Sequence, residues 1–257
     1  MKTRVITAVI LVAIIAPILY FGGIAFTILG LLFAGIGTYE IVKLVNREWP
    51  MAYTVLAIAM GVGISACGMY SPVLLTIASI VSLIVLFNFV VWNEHVKLSD
   101  IGVVYAFYHI IALTLAAIMR MYTISNMLVF FMAFATCFTD MFALFSGMAF
   151  GKHKLNERIS PKKTIEGAIG GFVIGAAISF GFSCIFLKQL PVAFRLIAAL
   201  TMCIIGQTGD LAFSAIKRFY GVKDFGNIFP GHGGVLDRID SISFNSMWLY
   251  ALMLILL

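Results

Sequence analysis

Charged residues are scarce in this 257-residue chain, and their scarcity excludes a water-soluble globule. Only 11% of the residues are Asp, Glu, Lys or Arg, whereas 62% are hydrophobic and the mean hydropathy is +1.09. Soluble domains carry about 25% charged and about 45–50% apolar residues. The apolar runs are continuous, unlike the alternating strands of a membrane barrel. The composition therefore predicts an all-α, polytopic integral membrane protein.

Several chemical signatures are also missing. Cys67, Cys137, Cys184 and Cys203 lie in apolar runs without a CxxC pair, a pattern that favours packing over a disulfide or a zinc site. The sequence has no GxxxxGK[ST] motif, so a P-loop ATPase is not supported. The net charge of +6 comes without a soluble basic module that carries stacking aromatics, so we expect no nucleic-acid partner.

Apolar runs separated by charges, glycine or proline predict nine membrane spans, because a spanning helix needs about 20 apolar residues. The predicted spans are 5–20, 24–45, 51–69, 72–92, 101–119, 124–148, 165–187, 193–216 and 241–257. The first run follows Lys2 and Arg4 as in a signal peptide. It has no convincing small-residue cleavage site before the next run, and we interpret it as a retained helix.

The positions of the cations predict the orientation. With the N-terminus in the cytoplasm, 14 of the 17 Lys and Arg residues fall on the inner side, and only Arg120, Lys188 and Arg195 fall outside. The positive-inside rule favours this topology, which places the C-terminus on the outer side. We divide the chain into about four N-terminal helices in 1–100 and a catalytic region in 101–257, with cytoplasmic loops 149–164 and 217–240.

Two acids interrupt apolar spans. Asp140 lies in ATCFTDMFALFSG and Asp210 lies in IIGQTGDLAFSAIKR. An ionised carboxylate inside the bilayer costs a few kcal/mol or more, so such acids usually face a cavity and have a function. The alternative is an acid that pairs with a nearby Lys or Arg and only holds helices together.

The loop 217–240 combines phosphate-binding residue types with glycine. Its ionisable residues are Lys217, Arg218, Lys223, Asp224, His232, Asp237, Arg238 and Asp240. The glycines at 221, 226, 231, 233 and 234 allow positive φ and close approach of the backbone to a ligand. Lysine and arginine suit phosphate groups, and carboxylates beside them suggest magnesium. His232 could equally be a turn histidine bonded to backbone.

The loop 149–164 predicts an anion site at the start of the next helix. The pattern predicts Ser160 as the N-cap and Pro161 as the first helical residue, with Lys162 and Lys163 in the opening turn. These lysines could also be plain topology signals. Glycine then recurs every four residues, which predicts a face for close helix packing: Gly167, Gly171 and Gly175.

These motifs resemble those of the phosphatidate cytidylyltransferases, also called CDP-diacylglycerol synthases. SAIKR from Ser214, KD at 223–224 and PGHGGVLDRID ending at Asp240 are similar to the family signature almost position for position. ISPKKTIEGAIGG and Asp140 with the following glycines resemble a second recurring stretch, so the resemblance covers roughly 135–245. The chain departs from the family at three positions: Phe213, Met148 and Leu144.

The resemblance implies that the chain makes CDP-diacylglycerol and pyrophosphate from CTP and phosphatidate. It further implies Mg²⁺, with two ions or an added monovalent cation as open possibilities, and a homodimer. From the resemblance together with the cation distribution, we expect a protein of the cell (inner) membrane whose active site faces the cytoplasm. The resemblance assigns metal binding to Asp210, Asp237 and Asp140, and a catalytic role in phosphate binding to Lys217 and Arg218. The implied substrate-binding residues are Ser160, Lys162, Lys163, Lys223, Asp224, His232, Gly233, Gly234, Arg238 and Asp240.

Two other functions remain open from the sequence. A CTP-dependent polyprenol or dolichol kinase would use similar nucleotide chemistry but would transfer the γ-phosphate and release CDP. An ion-coupled transporter would use Asp140 and Asp210 as ion or proton sites. A transporter would be expected to have polar gates on both sides, whereas the long polar loops are predicted on one side.

Overall fold

A computed structural model describes residues 13–229, 231 and 233–257 of the chain, and these residues are predominantly helical. Eight helices in this part of the chain are long and apolar enough to cross a membrane. They are α1 (Gly23–Val45), α2 (Met51–Tyr70), α3 (Pro72–Trp92), α4 (Leu98–Ile124), α5 (Asn126–Phe150), α6 (Ile165–Phe186), α7 (Val192–Phe219) and α8 (Leu236–Leu256). Residues 13–21 are helical as well.

The eight helices match eight of the predicted spans, which confirms an all-α chain with several candidate membrane crossings. The first half of the remaining predicted span, 5–20, lies outside the described residues, as do Lys2 and Arg4. The orientation and the total of nine spans therefore stay predictions. The helices α1 to α3 and α5 to α7 begin and end within a few residues of the predicted bounds.

The predicted loop 217–240 is shorter than expected because the helices on both sides of it are longer. The helix α7 continues through Lys217 and Arg218 to Phe219, and α8 begins at Leu236 instead of 241. Asp237, Arg238 and Asp240 are consequently helical residues. Three-residue spacing in a helix places Asp237 and Asp240 on one face, as the sequence suggested.

The predicted helix start at Ser160 and Pro161 is wrong. Ser160–Thr164 forms a strand, β2, that pairs antiparallel with β1 (Lys154–Asn156). The hairpin supplies backbone partners for this segment, and the exposed Pro161 is tolerated because edge strands do not need every N–H group. Thr164 is the actual N-cap of α6, since its hydroxyl accepts the Gly167 N–H at 3.1 Å.

The glycine face of α6 packs closely on α5, as predicted. A Cβ on Gly171 would lie 2.8 Å from Ala143 Cβ, and one on Gly167 would lie 3.1 Å from Gly147 Cα. Such distances are too short for any side chain larger than hydrogen. The small residues therefore bring the two helix backbones together, which suits a lipid environment where packing replaces the hydrophobic effect.

The chain divides into two compact units. One comprises Met1–Met119 with Asp224–Arg238, as far as those residues are described, and the other comprises Arg120–Lys223 with Ile239–Leu257. The segment after α7 thus groups with the N-terminal helices, although the sequence places it in the catalytic region. The division reflects packing, and the functional boundary predicted at residue 100 stays a prediction.

Candidate functional site

An ion pair joins the hairpin to the second half of α7 in the second unit. Lys163, near the end of β2, pairs through Nζ with Asp210 Oδ2, and both side chains are partly buried. Ser214, one helical turn after Asp210, lies 3.3 Å away and donates its hydroxyl to Oδ1. The acid that the sequence singled out in α7 therefore has a defined orientation and a cation against it.

More charges gather around Asp210. Asp240, in the second turn of α8, interacts electrostatically with Asp210, Asp140 and Lys217. Lys217 is buried, with 8% of its surface exposed, whereas Asp140 is exposed on α5. We call Asp140, Lys163, Asp210, Lys217 and Asp240 the acid–lysine cluster. A carboxylate inside a spanning helix is costly in lipid, so such a residue usually faces a cavity or a polar partner.

The strand geometry separates the two lysines of the hairpin. Successive residues in a strand point to opposite faces. Lys162 is accordingly exposed, while Lys163 turns toward Asp210 and is partly buried. The sequence predicted both lysines in the same opening turn of a helix, in equivalent positions. Of the two, the structure brings Lys163 into contact with a predicted metal-binding acid.

Arg218 donates hydrogen bonds to two loop segments of the same unit, one before β2 and one after α7. Its Nε donates to the Ile159 carbonyl at 3.3 Å, and its Nη1 donates to the Val222 carbonyl at 2.8 Å. A guanidinium group has five N–H donors, so these bonds leave a capacity for further contacts. In this structure Arg218 holds the hairpin next to the segment that follows α7.

The glycine-rich segment 224–238 folds around Asp237 in the first unit. Asp237 is 5% exposed, and its Oδ2 accepts the backbone N–H groups of Phe225 at 2.8 Å and Gly234 at 2.9 Å. Gly233 has a φ of +83°, and a Cβ there would lie 3.1 Å from Asp237 Cγ. The glycine thus permits both the turn and the close approach of the carboxylate.

Sequence analysis missed a third acid in an apolar helix. Glu40 lies in α1, is 3% exposed, and accepts the backbone N–H groups of Val235 and Leu236, both at 2.9 Å. Glu40 interrupts the apolar run 24–45 just as Asp140 and Asp210 interrupt theirs, and a carboxylate in such a run is equally costly there. Its proximity to the end of the run made it resemble an ordinary interfacial charge.

Other predicted site residues have less defined surroundings. Lys223, Asp224 and Arg238 are exposed, and Ser160 is partly exposed at the start of β2. His232 lies outside the described residues. The Gly234 N–H is donated to Asp237 Oδ2.

The acids of the cluster are suitable ligands for a magnesium ion whose other ligands would come from water and substrate. Within the described ranges, no group of three or more His, Cys, Asp or Glu residues is arranged to enclose a metal ion. Magnesium usually takes only one or two carboxylates and fills its other positions with water and substrate phosphates. Asp210 already attracts a cation, Lys163, and carboxylate oxygens are the ligands that Mg²⁺ prefers.

The long apolar helices define the class: a multi-pass membrane protein. Comparison with known sequences specifies the family. The sequence model of the cytidylyltransferase family matches residues 2–256, so the chain belongs to that family and is a nucleotidyltransferase.

Three similar proteins have the same name. The phosphatidate cytidylyltransferase of Staphylococcus haemolyticus is 34% identical over 254 residues, which cover 95% of both chains. That of Brucella abortus is 31% identical over 97% of this chain and 92% of its own length. The Bacillus subtilis protein of the same name is 47% identical over 115 residues, or 45% of this chain and 43% of its own.

Proposed function

We propose that this protein transfers the cytidylyl group of CTP to phosphatidate, giving CDP-diacylglycerol and pyrophosphate for phospholipid synthesis. The observation that carries the proposal is the signature segment 214–240, in a chain similar over nearly its whole length to phosphatidate cytidylyltransferases. The acid–lysine cluster supports it with the residue types that phosphate transfer requires.

The nucleophile needs little activation. A phosphate monoester has a second pKa near about 6, so phosphatidate is largely dianionic at neutral pH. One of its oxygens bonds to the α-phosphorus of CTP while the bond from that phosphorus to the bridging oxygen of the β-phosphate breaks, and pyrophosphate leaves. Catalysis then consists of alignment and charge neutralisation, which are the main contributions of proteins to phosphoryl-type transfer.

The lysines of the cluster supply positive charge for these phosphates. Lys163 pairs with Asp210 and Lys217 lies near Asp240, so two lysines on different elements could contact two phosphate groups at once. Arg218 holds the hairpin that carries Lys163, and its remaining donors suit a phosphate oxygen. The family resemblance alone supports substrate contacts for the other residues: Ser160, Lys162, Lys223, Asp224, His232, Gly233, Gly234, Arg238 and Asp240.

We also propose that the enzyme depends on Mg²⁺, held by Asp210 and Asp140. The signature motif adds Asp237 to these acids. Bound Mg²⁺ would neutralise the charge that develops on the nucleotide phosphates. Carboxylate donors support one or two such ions, and the resemblance leaves room for a monovalent cation.

Charge asymmetry supports a cytoplasmic location for the site. Cations concentrated on one side of the predicted topology support a cytoplasmic N-terminus, a cytoplasmic active site and residence in the cell membrane. A cytoplasmic site gives CTP direct access, while phosphatidate arrives from the bilayer. A homodimer is proposed on the family resemblance only.

The decisive experiment supplies detergent-solubilised protein with α-labelled CTP, phosphatidate and Mg²⁺, and follows labelled lipid and pyrophosphate together. Equal amounts of both products, formed only with Mg²⁺, are expected. Labelled CDP with a polyprenol acceptor, and no labelled lipid, would replace the proposal with a lipid kinase. Folded protein that consumes no nucleotide would overturn enzymatic nucleotide transfer and direct attention to ion transport.

A further inference from the structure

The carboxylate of Glu40 caps the start of α8 from a helix almost 200 residues earlier in the chain. Oε1 accepts the Val235 N–H and Oε2 accepts the Leu236 N–H, both at 2.9 Å. The first N–H groups of a helix have no partner within the helix, and the helix dipole favours a negative charge there. Each carboxylate oxygen therefore satisfies a different backbone donor.

The glycine pattern of the segment accommodates this carboxylate. A Cβ on Gly234 would lie 2.6 Å from Glu40 Cδ, and a Cβ on Gly226 would lie 2.9 Å from the same atom. Neither glycine has a positive φ among the described residues, so backbone conformation does not account for them. Space for Glu40 is the physical reason for glycine at both positions.

Glu40 and Asp237 hold successive backbone groups of the same turn. Asp237 Oδ2 accepts the N–H of Gly234, and Glu40 accepts those of Val235 and Leu236. Asp237 Oδ2 also accepts the Phe225 N–H, which ties the earlier part of the loop to the turn. Loss of the Glu40 bonds would release two of the three consecutive amides immediately before Asp237.

We propose that Glu40 is a positioning residue for cytidylyl transfer, which holds the turn 233–237 so that Asp237 keeps its orientation. Glu40 contacts backbone and acts through it, without touching substrate. The inference rests on the proposed function, because it concerns the orientation of an acid assigned to metal binding. It gives an N-terminal helix, outside the motif-bearing region, a part in catalysis.

The test compares Glu40→Gln with Glu48→Gln. The Glu40→Gln substitution would place an amide N–H₂ against one of the two backbone donors, whereas Glu48 is exposed just after α1 and loses the same charge. Three quantities are measured: kcat with CTP and phosphatidate, Mn²⁺ affinity by electron paramagnetic resonance, and hydrogen–deuterium exchange of the 233–237 amides.

We expect Glu40→Gln to lower kcat and Mn²⁺ affinity by about 10- to 100-fold, the range found when groups that orient metal ligands are removed. Exchange of the Val235 and Leu236 amides should accelerate in the same variant. Glu48→Gln should match the wild type in all three measurements.

A second variant covers the case in which Glu40→Gln does not fold. Glu40→Asp keeps the charge but shortens the side chain by one methylene, so it cannot reach both amides equally; we expect a smaller loss in the same measurements. A merely structural role would lower the melting temperature of both variants but leave kcat of the folded protein and Mn²⁺ affinity within about twofold of wild type. That result would overturn the positioning role.

The wild type separates the two proposals. An inactive, folded wild type would overturn the proposed cytidylyl transfer and the role of Glu40 in it. An active wild type with an equally active Glu40→Gln variant would overturn the role of Glu40 alone.

Discussion

Lys163 Nζ forms an ion pair with Asp210 Oδ2, although 47 residues separate them in the chain. The pair joins a two-stranded hairpin to the second half of α7. Asp210 would hold the proposed metal ion, and Lys163 beside it would then contact a substrate phosphate. The ion pair therefore predicts that Lys163 and Asp210 both contribute to cytidylyl transfer.

Asp210→Asn is expected to reduce cytidylyl transfer by more than about 100-fold, because it removes a negative charge from a proposed metal ligand. The substitution is nearly isosteric, so the melting temperature in detergent should change little. Lys43→Ala is the control: Lys43 is exposed near the end of α1 and should retain nearly full activity. Full activity of Asp210→Asn would remove the metal-binding role of this acid.

The two hairpin lysines should differ. Lys163→Ala is expected to lower kcat/KM by about 10- to 100-fold, the cost of losing one charge-assisted hydrogen bond of about 1.5–3 kcal/mol. Lys162→Ala should cost less than Lys163→Ala, because Lys162 is exposed on the opposite face of β2, away from Asp210. Steady-state kinetics at varied CTP and phosphatidate check the difference; equal losses would contradict the assignment.

Gly171→Ala should destabilise the protein by about 1–3 kcal/mol, since the added methyl group would overlap α5. Gly181→Ala in the same helix is the matched control, because a Cβ there meets nothing within 4 Å. The control should be neutral or gain up to about 1 kcal/mol from helix propensity. Reversible unfolding in mixed micelles measures both, and equal stabilities would argue against tight α5–α6 packing.

Removal of divalent metal should abolish turnover reversibly. Treatment with EDTA is expected to reduce the product to background, and excess Mg²⁺ should restore it, because carboxylates and substrate phosphates together form the proposed site. Asp237→Asn should need more Mg²⁺ for half-maximal activity than the wild type. Activity that persists in EDTA would contradict the proposed metal dependence.

Much of the fold could be predicted from local patterns. Apolar runs specified α1 to α3 and α5 to α7 to within a few residues, because the hydrocarbon core forces backbone groups to bond within a helix. The segment before α6 could not be predicted in the same way: Ser160 and Pro161 carry a cap pattern, yet hairpin pairing with residues 154–156 makes them part of a strand. Local propensity was overruled by a pairing partner outside the motif.

The site shows the same division between local and distant information. Asp140, Asp210 and the signature segment stand out in the sequence because charge in an apolar context is costly. Glu40 carries the same signal, but nothing local indicates that its carboxylate meets amides at 235 and 236.

The sequence by itself determined the membrane class, the packing face of α6 and the chemical types of the site residues, since these depend on composition and short periodicities. Only the tertiary structure decided which lysine meets Asp210 and which acid holds the turn before Asp237. Those contacts join residues 47 and 195 positions apart. Their formation depends on how helices and loops fold back together, which no local pattern encodes.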